Sequence, residues 1–400
     1  IGTDFSKAYP NGFRPEMMKY ASDDLDSLAV INYSSGTTGS PKGIMLSSRN
    51  ISSNVELGLS NVPCTPGKDT ILSMLPMAHM YGLAFEFLYT FCGGCHVYFL
   101  GRTPSPSILL KAFAEVKPYL LIAVPLVIEK IFKNKIMPAL DRKGVKLLMK
   151  IPLLNRIVYS SIRKKLIGAF GGNIREIDIG GAALSKPVEH LMKKAGIPYT
   201  VGYGMTECGP LVGYEHHENF KFGSCGKCVY CAEIRVDNPD PVTGVGELQV
   251  RGDNVMIGYY KNQEATEGAF TEDGWLHTGD LGIIDEIGNI TIKGRSKCMI
   301  LSANGQNIYP EEIESKLNNL PYISESLVLA RDKNIVGIVT LNAKKEDILA
   351  EGKTVEEVLA ATKKALNSVL PNYSQVAKIE LLDGEFVHTP KQSIKRSLYK

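Results

Sequence analysis

Between Asp69 and Val201, short apolar runs alternate with longer stretches of helical spacing, and this alternation restricts the fold more than any other feature. Strands are expected at Asp69–Leu75, His96–Leu100, Tyr119–Ala123, Glu176–Ile179 and Tyr199–Val201, with helices such as Pro106–Val116 and Lys186–Ala195 between them. Strands separated by helices cannot form hairpins, so they are expected to line up in a mainly parallel sheet. After Gly223 the pattern changes to short strands with tight turns, at Ala232–Val236, Gly246–Val250, Gly282–Asp285 and Ile290–Ile292, which predicts an antiparallel meander. A polar, glycine-containing joint at Lys293–Ser296 closes it. Beyond the joint comes a compact α+β module: helix Pro310–Leu317, strands Ser326–Ala330 and Ile335–Leu341, helix Val355–Val369 with Thr354 as N-cap, and a strand at Ala377–Leu382. The fold class expected is α/β: a large N-terminal domain of layered sheets and helices, residues 1–294, followed across this joint by a smaller α+β C-terminal domain, residues 295–400.

A polar region with a short helical piece near Glu16–Ala21 leads to Tyr33–Gly43, YSSGTTGSPKG, which lies between apolar runs at Leu28–Ile31 and Ile44–Leu46. Glycines let backbone N–H groups turn inward as an anion-binding nest, hydroxyls add donors, and Lys42 adds a point charge. That is the chemistry a polyphosphate needs. The stretch is not a Walker A sequence, because no Gly-Lys-Ser/Thr triplet follows Gly36 at the required spacing. A flexible linker is the plainer reading, but a linker is not normally wedged between two apolar strands.

The 400 residues carry a net charge of +3 and 22% charged side chains, a balance that argues against a dedicated nucleic-acid binder. The chain opens with Ile1 and shows no signal peptide. Its longest apolar stretch, Leu75–Leu100, is interrupted by His79, Glu86, Gly93-Gly94 and His96, so it is expected as buried helix and strand rather than a membrane span. Eight cysteines in a chain this long do not make a disulfide framework and suit a reduced, cytoplasmic setting. Cys92-x2-Cys95 and Cys225-x2-Cys228-x2-Cys231 could be drawn as a metal site, but no fourth ligand follows the second cluster at the needed spacing, and small core residues are the better reading. From 133 to 165 there are ten Lys or Arg and one acid, Asp141, interleaved with Ile136, Met137, Leu147, Leu148, Met149, Ile151, Leu153, Leu154, Ile157 and Ile162. Such a basic amphipathic stretch suits an anionic membrane surface, at the inner face of the membrane; a solvated basic helix face is the alternative.

Five motifs follow the hydroxyl-rich stretch in order: YGMTE at Tyr203–Glu207, GELQVRG at Gly246–Gly252, GWLHTGD at Gly274–Asp280, GRSKCMI at Gly294–Ile300 and NIYPEEIE at Asn307–Glu314. Together they resemble the adenylate-forming superfamily of acyl-CoA synthetases, luciferases and nonribosomal adenylation domains. GGAAL at Gly180–Leu184 and the stretch Lys117–Phe132 look most like bacterial long-chain fatty acyl-CoA synthetases. The resemblance implies a two-step reaction: a fatty acid carboxylate attacks the α-phosphorus of ATP, and a thiol, usually that of coenzyme A, then displaces AMP. It implies that Ser34, Ser35, Gly36, Thr37, Thr38 and Lys42 hold the leaving phosphates. Thr206 would bond the α-phosphate and Glu207 would hold Mg2+, a hard cation that takes oxygen ligands. Asp280 would accept both ribose hydroxyls, with Arg295 in support. Tyr203, beside Gly202, would stack on adenine against Gly180, Gly181 and Ala182. His79 would lie beside the acyl carboxylate, Lys297 would be the hinge, and Gly305 would face the coenzyme A channel. His277 and the pair His216-His217 are left as structural or solvent-exposed.

Two departures stand out. Where the family carries a lysine bridging carboxylate and α-phosphate, this chain has Ser393, with Lys391 and Lys395 each two residues away. Lys395 is the expected substitute. The family also has a subdomain before the phosphate loop, whereas here that loop begins at residue 33, so the N-terminal subdomain is expected to be missing and a sheet edge exposed. Two alternatives are carried along: an acyl-adenylate ligase that loads a carrier protein, and a non-catalytic nucleotide or acyl binder. Spacing does not reveal the oligomeric state.

Overall fold

The computed structural model describes residues 7, 10–12, 14–17, 24–34, 41–102, 105–132, 136–140, 142–301, 306–332, 334–388 and 394–399. Its first sheet is a hairpin. Strand β1 (Leu28–Ser34) pairs antiparallel with β2 (Lys42–Ser47), from Leu28 opposite Ser47 to Ser34 opposite Lys42. The hydroxyl-rich stretch is therefore a hairpin connection, and Lys42 is the first residue of the returning strand rather than part of the turn. Ile44 and Leu46 of β2 are fully buried, which anchors this side. Helix α1 (Ser48–Asn61) follows at once: Ser47 Oγ accepts from Asn50 N–H and Asn50 Oδ1 from Ser47 N–H, a reciprocal cap that satisfies two free donors.

The alternating region forms β3 (Thr70–Ser73), β4 (His96–Phe99), α2 (Pro106–Val116), β5 (Leu120–Ala123) and α3 (Pro125–Ile131). Next come α4 (Lys143–Lys150), α5 (Leu154–Ala169), β6 (Glu176–Ile179), α6 (Lys186–Ala195) and β7 (Tyr199–Val201). Strand β3 is parallel to β4, and β5, β6 and β7 are parallel in that order. A bond from Tyr119 N–H to Thr70 O joins the two groups. Successive residues of a strand point to opposite faces. Accordingly Leu121 and Ala123 pack with Phe113, Leu166 and Phe170 on one side, while Leu120 and Ile122 pack with Leu57, Phe85 and Tyr89 on the other. Both faces are covered, as a parallel sheet requires.

The rest of the large domain is antiparallel. Strands β8 (Tyr203–Gly204), β9 (Leu211–Tyr214) and β10 (Lys227–Cys228) form one small sheet. Strands β11 (Ala232–Asp237), β12 (Gly246–Gly252), β14 (Leu276–Ile284) and β15 (Ile290–Arg295) form another, and β13 (Gly258–Tyr259) adds to the free side of β2. The smaller C-terminal domain contains β16 (Ile300–Leu301), β17 (Asn307–Ile308), α7 (Pro310–Leu317), β18 (Ile323–Arg331), β19 (Asn334–Leu341), α8 (Val355–Asn367) and β20 (Lys378–Leu381). Its own core gathers Leu317, Ile323, Val328, Val339 and Leu366. Thr354 caps α8, with Glu357 reciprocating.

Several expectations are corrected. In the alternating region the five strands are parallel as expected, though in two groups, β3 with β4 and β5–β6–β7, and the corrections lie elsewhere. The strand expected at Gly282–Asp285 is the end of the longer β14, and the joint expected at Lys293–Ser296 is strand as far as Arg295, since β14 offers it a partner there. The apolar stretch near Leu88 forms a π-helical segment, Gly82–Leu88, and β4 after it is exposed at Tyr98 and Phe99 rather than buried. Of the helical piece expected at Glu16–Ala21, residues 18–21 lie outside the described residues, and Pro15–Met17 forms a 3-10 turn.

Candidate active site

Three loop ends meet at the carboxyl side of the parallel strands. Gly180 and Gly181 follow β6, Gly202 and Tyr203 follow β7, and Thr206 and Glu207 occupy the 3-10 turn after β8. Gly181 has φ +87°, a left-handed conformation that suits glycine, and a Cβ at Gly180 would sit about 3.0 Å from the Tyr81 ring. The backbone here must be bare. Gly202 N–H donates to Ile179 O, tying the two loops together.

Asp280 and Arg295 face each other directly across β14 and β15. Asp280 is 4% exposed; its Oδ1 lies 2.8 Å from Arg295 Nε, and its Oδ2 accepts from the Tyr203 hydroxyl at 2.9 Å. Burial raises the Asp280 pKa, while Arg295 and the Tyr203 bond pull it back down. Both carboxylate oxygens thus have a partner, and each keeps a lone pair for a further donor. The bond to Asp280 also fixes the Tyr203 ring, which is part of the core on one side and lines the cavity on the other.

Glu207 is half-buried and accepts from the Tyr259 hydroxyl at 3.2 Å, while its backbone carbonyl accepts from Met256 N–H. Lys42 Nζ stands 4.6 Å from the centre of the Tyr259 ring. Tyr259 therefore bridges the end of the hydroxyl-rich hairpin to Glu207. Sequence reading missed it, and nothing in the spacing of MIGYYKN marks it out. A carboxylate held on one side by a hydroxyl, with lone pairs to spare, suits a hard cation such as Mg2+.

A cavity of about 1190 Å3 opens from this cluster. His79, Tyr203 and Thr206 line it together with Phe113, Ile136 and Leu166, so it runs from the loop cluster down to α2 and α5. Its walls are chiefly Met, Leu, Ile, Val and Phe, and among the described residues its only Lys or Arg are Arg102, Lys130 and Lys165, with no acid. Glu86 supports one wall from behind: it is fully buried, and its Oε2 accepts from Ser73 Oγ, Met74 N–H and Leu75 N–H. Burial pushes its pKa up to about 7. A lone Glu inside an apolar run was the available signal for such a buried carboxyl.

Not every expected residue is gathered here. Lys395 lies on the C-terminal domain outside the cavity lining, its N–H bonded to Val387 O. The neighbouring Arg396 is drawn inward to Glu314 at 2.8 Å and holds the segment in place. Lys297 sits in the 3-10 turn Ser296–Cys298 just past β15, where Ser296 Oγ donates to Gly279 O. Ser35, Gly36, Thr37, Thr38, Gly305, Lys391 and Ser393 lie outside the described residues, as does the side chain of Ser34. His277 contacts Glu247 at 2.9 Å, a structural role. His216 and His217 are half-buried against Glu176. All eight cysteines are free thiols.

Comparison with known proteins agrees with this layout. The AMP-binding enzyme family model matches residues 4–260, and that of the AMP-binding enzyme C-terminal domain matches 298–400. The chain is 31% identical to the long-chain-fatty-acid–CoA ligase FadD15 of Mycobacterium bovis, over 92% of this chain and 67% of that one. It is 30% identical to long-chain-fatty-acid–CoA ligase 1 of Saccharomyces cerevisiae, over 94% of this chain and 60% of that one. It is 27% identical to the long-chain-fatty-acid–[acyl-carrier-protein] ligase AEE15 of Arabidopsis thaliana, over 94% and 60%. The chain thus spans about two thirds of the mycobacterial relative and less of the other two. Among solved structures, o-succinylbenzoate coenzyme A synthetase of Bacillus subtilis with ATP and magnesium superposes at a TM-score of 0.74, 26% identical, over 98% of this chain and 74% of that one. The unliganded form of the same enzyme gives 0.66. With a matching family model over most of its length and relatives near one-third identity, this chain belongs to the AMP-binding enzyme family, alongside long-chain fatty acid–CoA ligases.

Proposed function

We propose that this chain activates a fatty acid with ATP as an acyl adenylate and then transfers the acyl group to the thiol of coenzyme A. The observation that carries the reading is one large apolar cavity whose wall contains Thr206, next to Glu207, and Tyr203, which is bonded to Asp280. At about 1190 Å3 the cavity is larger than the roughly 300–1,000 Å3 of ordinary small-ligand sites, which leaves room for an acyl chain as well as the reacting end. Its apolar lining favours burial of methylenes, each worth about 0.8 kcal/mol.

The residues divide the work. Asp280 binds the ribose hydroxyls with its remaining lone pairs, steadied by Arg295 and Tyr203. Thr206 donates to the α-phosphate, and Lys42 with the hydroxyl-rich hairpin holds the phosphates that leave. Glu207 holds Mg2+, which when bound neutralises charge on the triphosphate. His79 sits where the carboxylate enters. The division at residue 294, with Lys297 as hinge, allows the C-terminal domain to bring Lys395 toward the carboxylate for the first step and Gly305 toward the thiol for the second. Orientation of the carboxylate against the α-phosphate, rather than covalent catalysis, supplies most of the rate.

The substrate dissolves in membranes, and the surface near the cavity suits one. Leu147, Leu153 and Ile157 are each more than 60% exposed on α4, α5 and the turn between them, amid Lys143, Lys150 and Arg156. Lys165, on α5, lines the cavity itself. We therefore place the enzyme in the cytoplasm, at the anionic inner face of a membrane. No helix among the described residues is long and apolar enough to span the bilayer. Flotation with vesicles should show binding that needs anionic lipid and is lost in Leu147→Asp/Leu153→Asp; indifference to lipid charge would remove the membrane from the scheme.

The reaction itself is tested by AMP release with acetate, octanoate, palmitate, benzoate and amino acids. The longer fatty acids should give the highest kcat/KM. Strongest release with benzoate or an amino acid would overturn the acyl class, and ATP binding without AMP release would make the chain a nucleotide binder. The similarity to an acyl-carrier-protein ligase favours one second reading, transfer to a carrier protein. Free acyl-CoA appearing on addition of coenzyme A would decide against it.

A further inference from the structure

The amino end of β6, four residues from the bare loop at Gly180, carries a second polar cluster that the proposed reaction does not use. Glu176 opens the strand and is 1% exposed. His216 and His217 follow β9 and turn back onto it. Glu176 Oε2 lies 3.2 Å from His216 Nε2 and 3.3 Å from His217 Nδ1, and the three atoms all fall within 4.8 Å of one another.

The two oxygens of this carboxylate are treated differently. Oε1 accepts from the Tyr214 hydroxyl at 3.0 Å and from His217 N–H at 3.2 Å, which fixes the orientation of the group. Oε2 is turned toward the imidazoles, yet it and His217 Nδ1 are both buried without a hydrogen-bond partner among the described residues. An ordinary ion pair would aim a ring N–H at the oxygen and satisfy both atoms. Close approach without such aim is the geometry of atoms that share a third body. A tetrahedral ion bound at about 2.0–2.1 Å holds its ligand atoms roughly 3.3 Å apart, the spacing seen on both edges from Oε2. Asp178, next along the same face of β6, is hydrogen-bonded through its buried carboxyl to that of Glu176, so the pair shares a proton that an ion at Oε2 would displace, and no Lys or Arg among the described residues is bonded to either.

We propose that Glu176, His216 and His217 form a binding site for a zinc-class divalent cation, through Oε2, Nε2 and Nδ1, with the fourth position open to water. Two imidazole nitrogens and one carboxylate oxygen select Zn2+ or Co2+ over Mg2+ and Ca2+, which prefer all-oxygen sites. Tyr214 and His217 N–H are the supporting shell that aims the carboxylate. The ion would clasp the start of β6 to the segment after β9.

The test uses the full chain, stripped with a chelator and dialysed, then titrated with Zn2+, Co2+ and Mg2+ while metal content, Tm and visible absorption are followed. The site predicts one equivalent of Zn2+ bound, a Tm rise with Zn2+ that Mg2+ does not give, and a tetrahedral Co2+ spectrum without thiolate charge transfer. His217→Asn and His216→Asn should each weaken Zn2+ binding at least tenfold. These rings are half-exposed, so the variants remain informative even if Glu176→Gln fails to fold. Binding below half an equivalent, a Co2+ spectrum of cysteine ligation, or an undiminished Zn2+ response in both histidine variants would overturn the site.

Discussion

The two ends of the parallel sheet solve the same problem, a buried carboxylate, in opposite ways. Asp280, beside the carboxyl-end loops, has a cation on one oxygen and a tyrosine hydroxyl on the other. Glu176, at the amino end, has two donors on one oxygen, and its carboxyl otherwise meets only two imidazoles and the carboxyl of Asp178, with no Lys or Arg among the described residues. Glu86 shares the second pattern, with three donors on Oε2, Oε1 buried without a hydrogen bond and no cation among the described residues, and burial there favours a proton on the group. The difference teaches where to look for ligands. A carboxylate completed by its own chain is ready to bind a neutral group such as a hydroxyl, whereas an incomplete one waits for positive charge.

That contrast is sharpened by replacement, beginning with the site's charge. Glu207→Ala should lower ATP–pyrophosphate exchange by about 10²–10³-fold, the usual consequence of removing a preorganised transition-state contact. A loss under fivefold would take Glu207 out of the reaction. Asp280→Asn keeps the shape but loses the charge; hydrogen bonds to charged groups contribute about 1.5–3 kcal/mol, so the KM for ATP should rise roughly ten- to hundredfold. An unchanged KM would break the claim that a self-completed carboxylate still binds the ribose.

Lys297→Pro should slow thioester formation about tenfold more than adenylation, because it stiffens the joint after β15 without touching the nucleotide contacts. Equal losses in both half-reactions, assayed separately, would count against a hinge. The smallest effect concerns Glu86. Its folded pKa of about 7 is above the ordinary carboxylate value, so folding favours the protonated form. The associated stability is present at low pH and is lost as pH rises toward and through about 7. Glu86→Gln lacks this loss, so its Tm should gain on the wild type by a few degrees between pH 5 and pH 8. A constant difference across that range would show that Glu86 does not titrate there.

Much of the layout was legible in the residues. The strands of the alternating region fall within a residue or two of where periodicity put them, and the Thr354 cap is where a Thr followed by two acids predicts it. The resemblance carried by the five motifs implies one site for Thr206, Asp280 and Arg295; in the structure Asp280 pairs with Arg295, and Tyr203 links Asp280 to the cavity wall that Thr206 shares. Other features were not legible. Tyr259 reaches Glu207 only because β13 happens to pair with β2, and a two-residue strand leaves almost no mark in a sequence. Likewise His216 and His217 read only as structural or solvent-exposed, because nothing nearby in the chain announces Glu176, forty positions earlier.

The sequence by itself determined the order of strands and helices, the antiparallel character after Gly223 and the chemistry available at each loop, since these depend on residues close together in the chain. Only the tertiary structure decided which carboxylate is satisfied and by what. Asp280 takes its hydroxyl from a residue 77 positions away, and Glu176 meets its histidines across two different sheets. The state of a buried charge is set by the few atoms within hydrogen-bonding reach, and folding, not spacing, chooses those atoms.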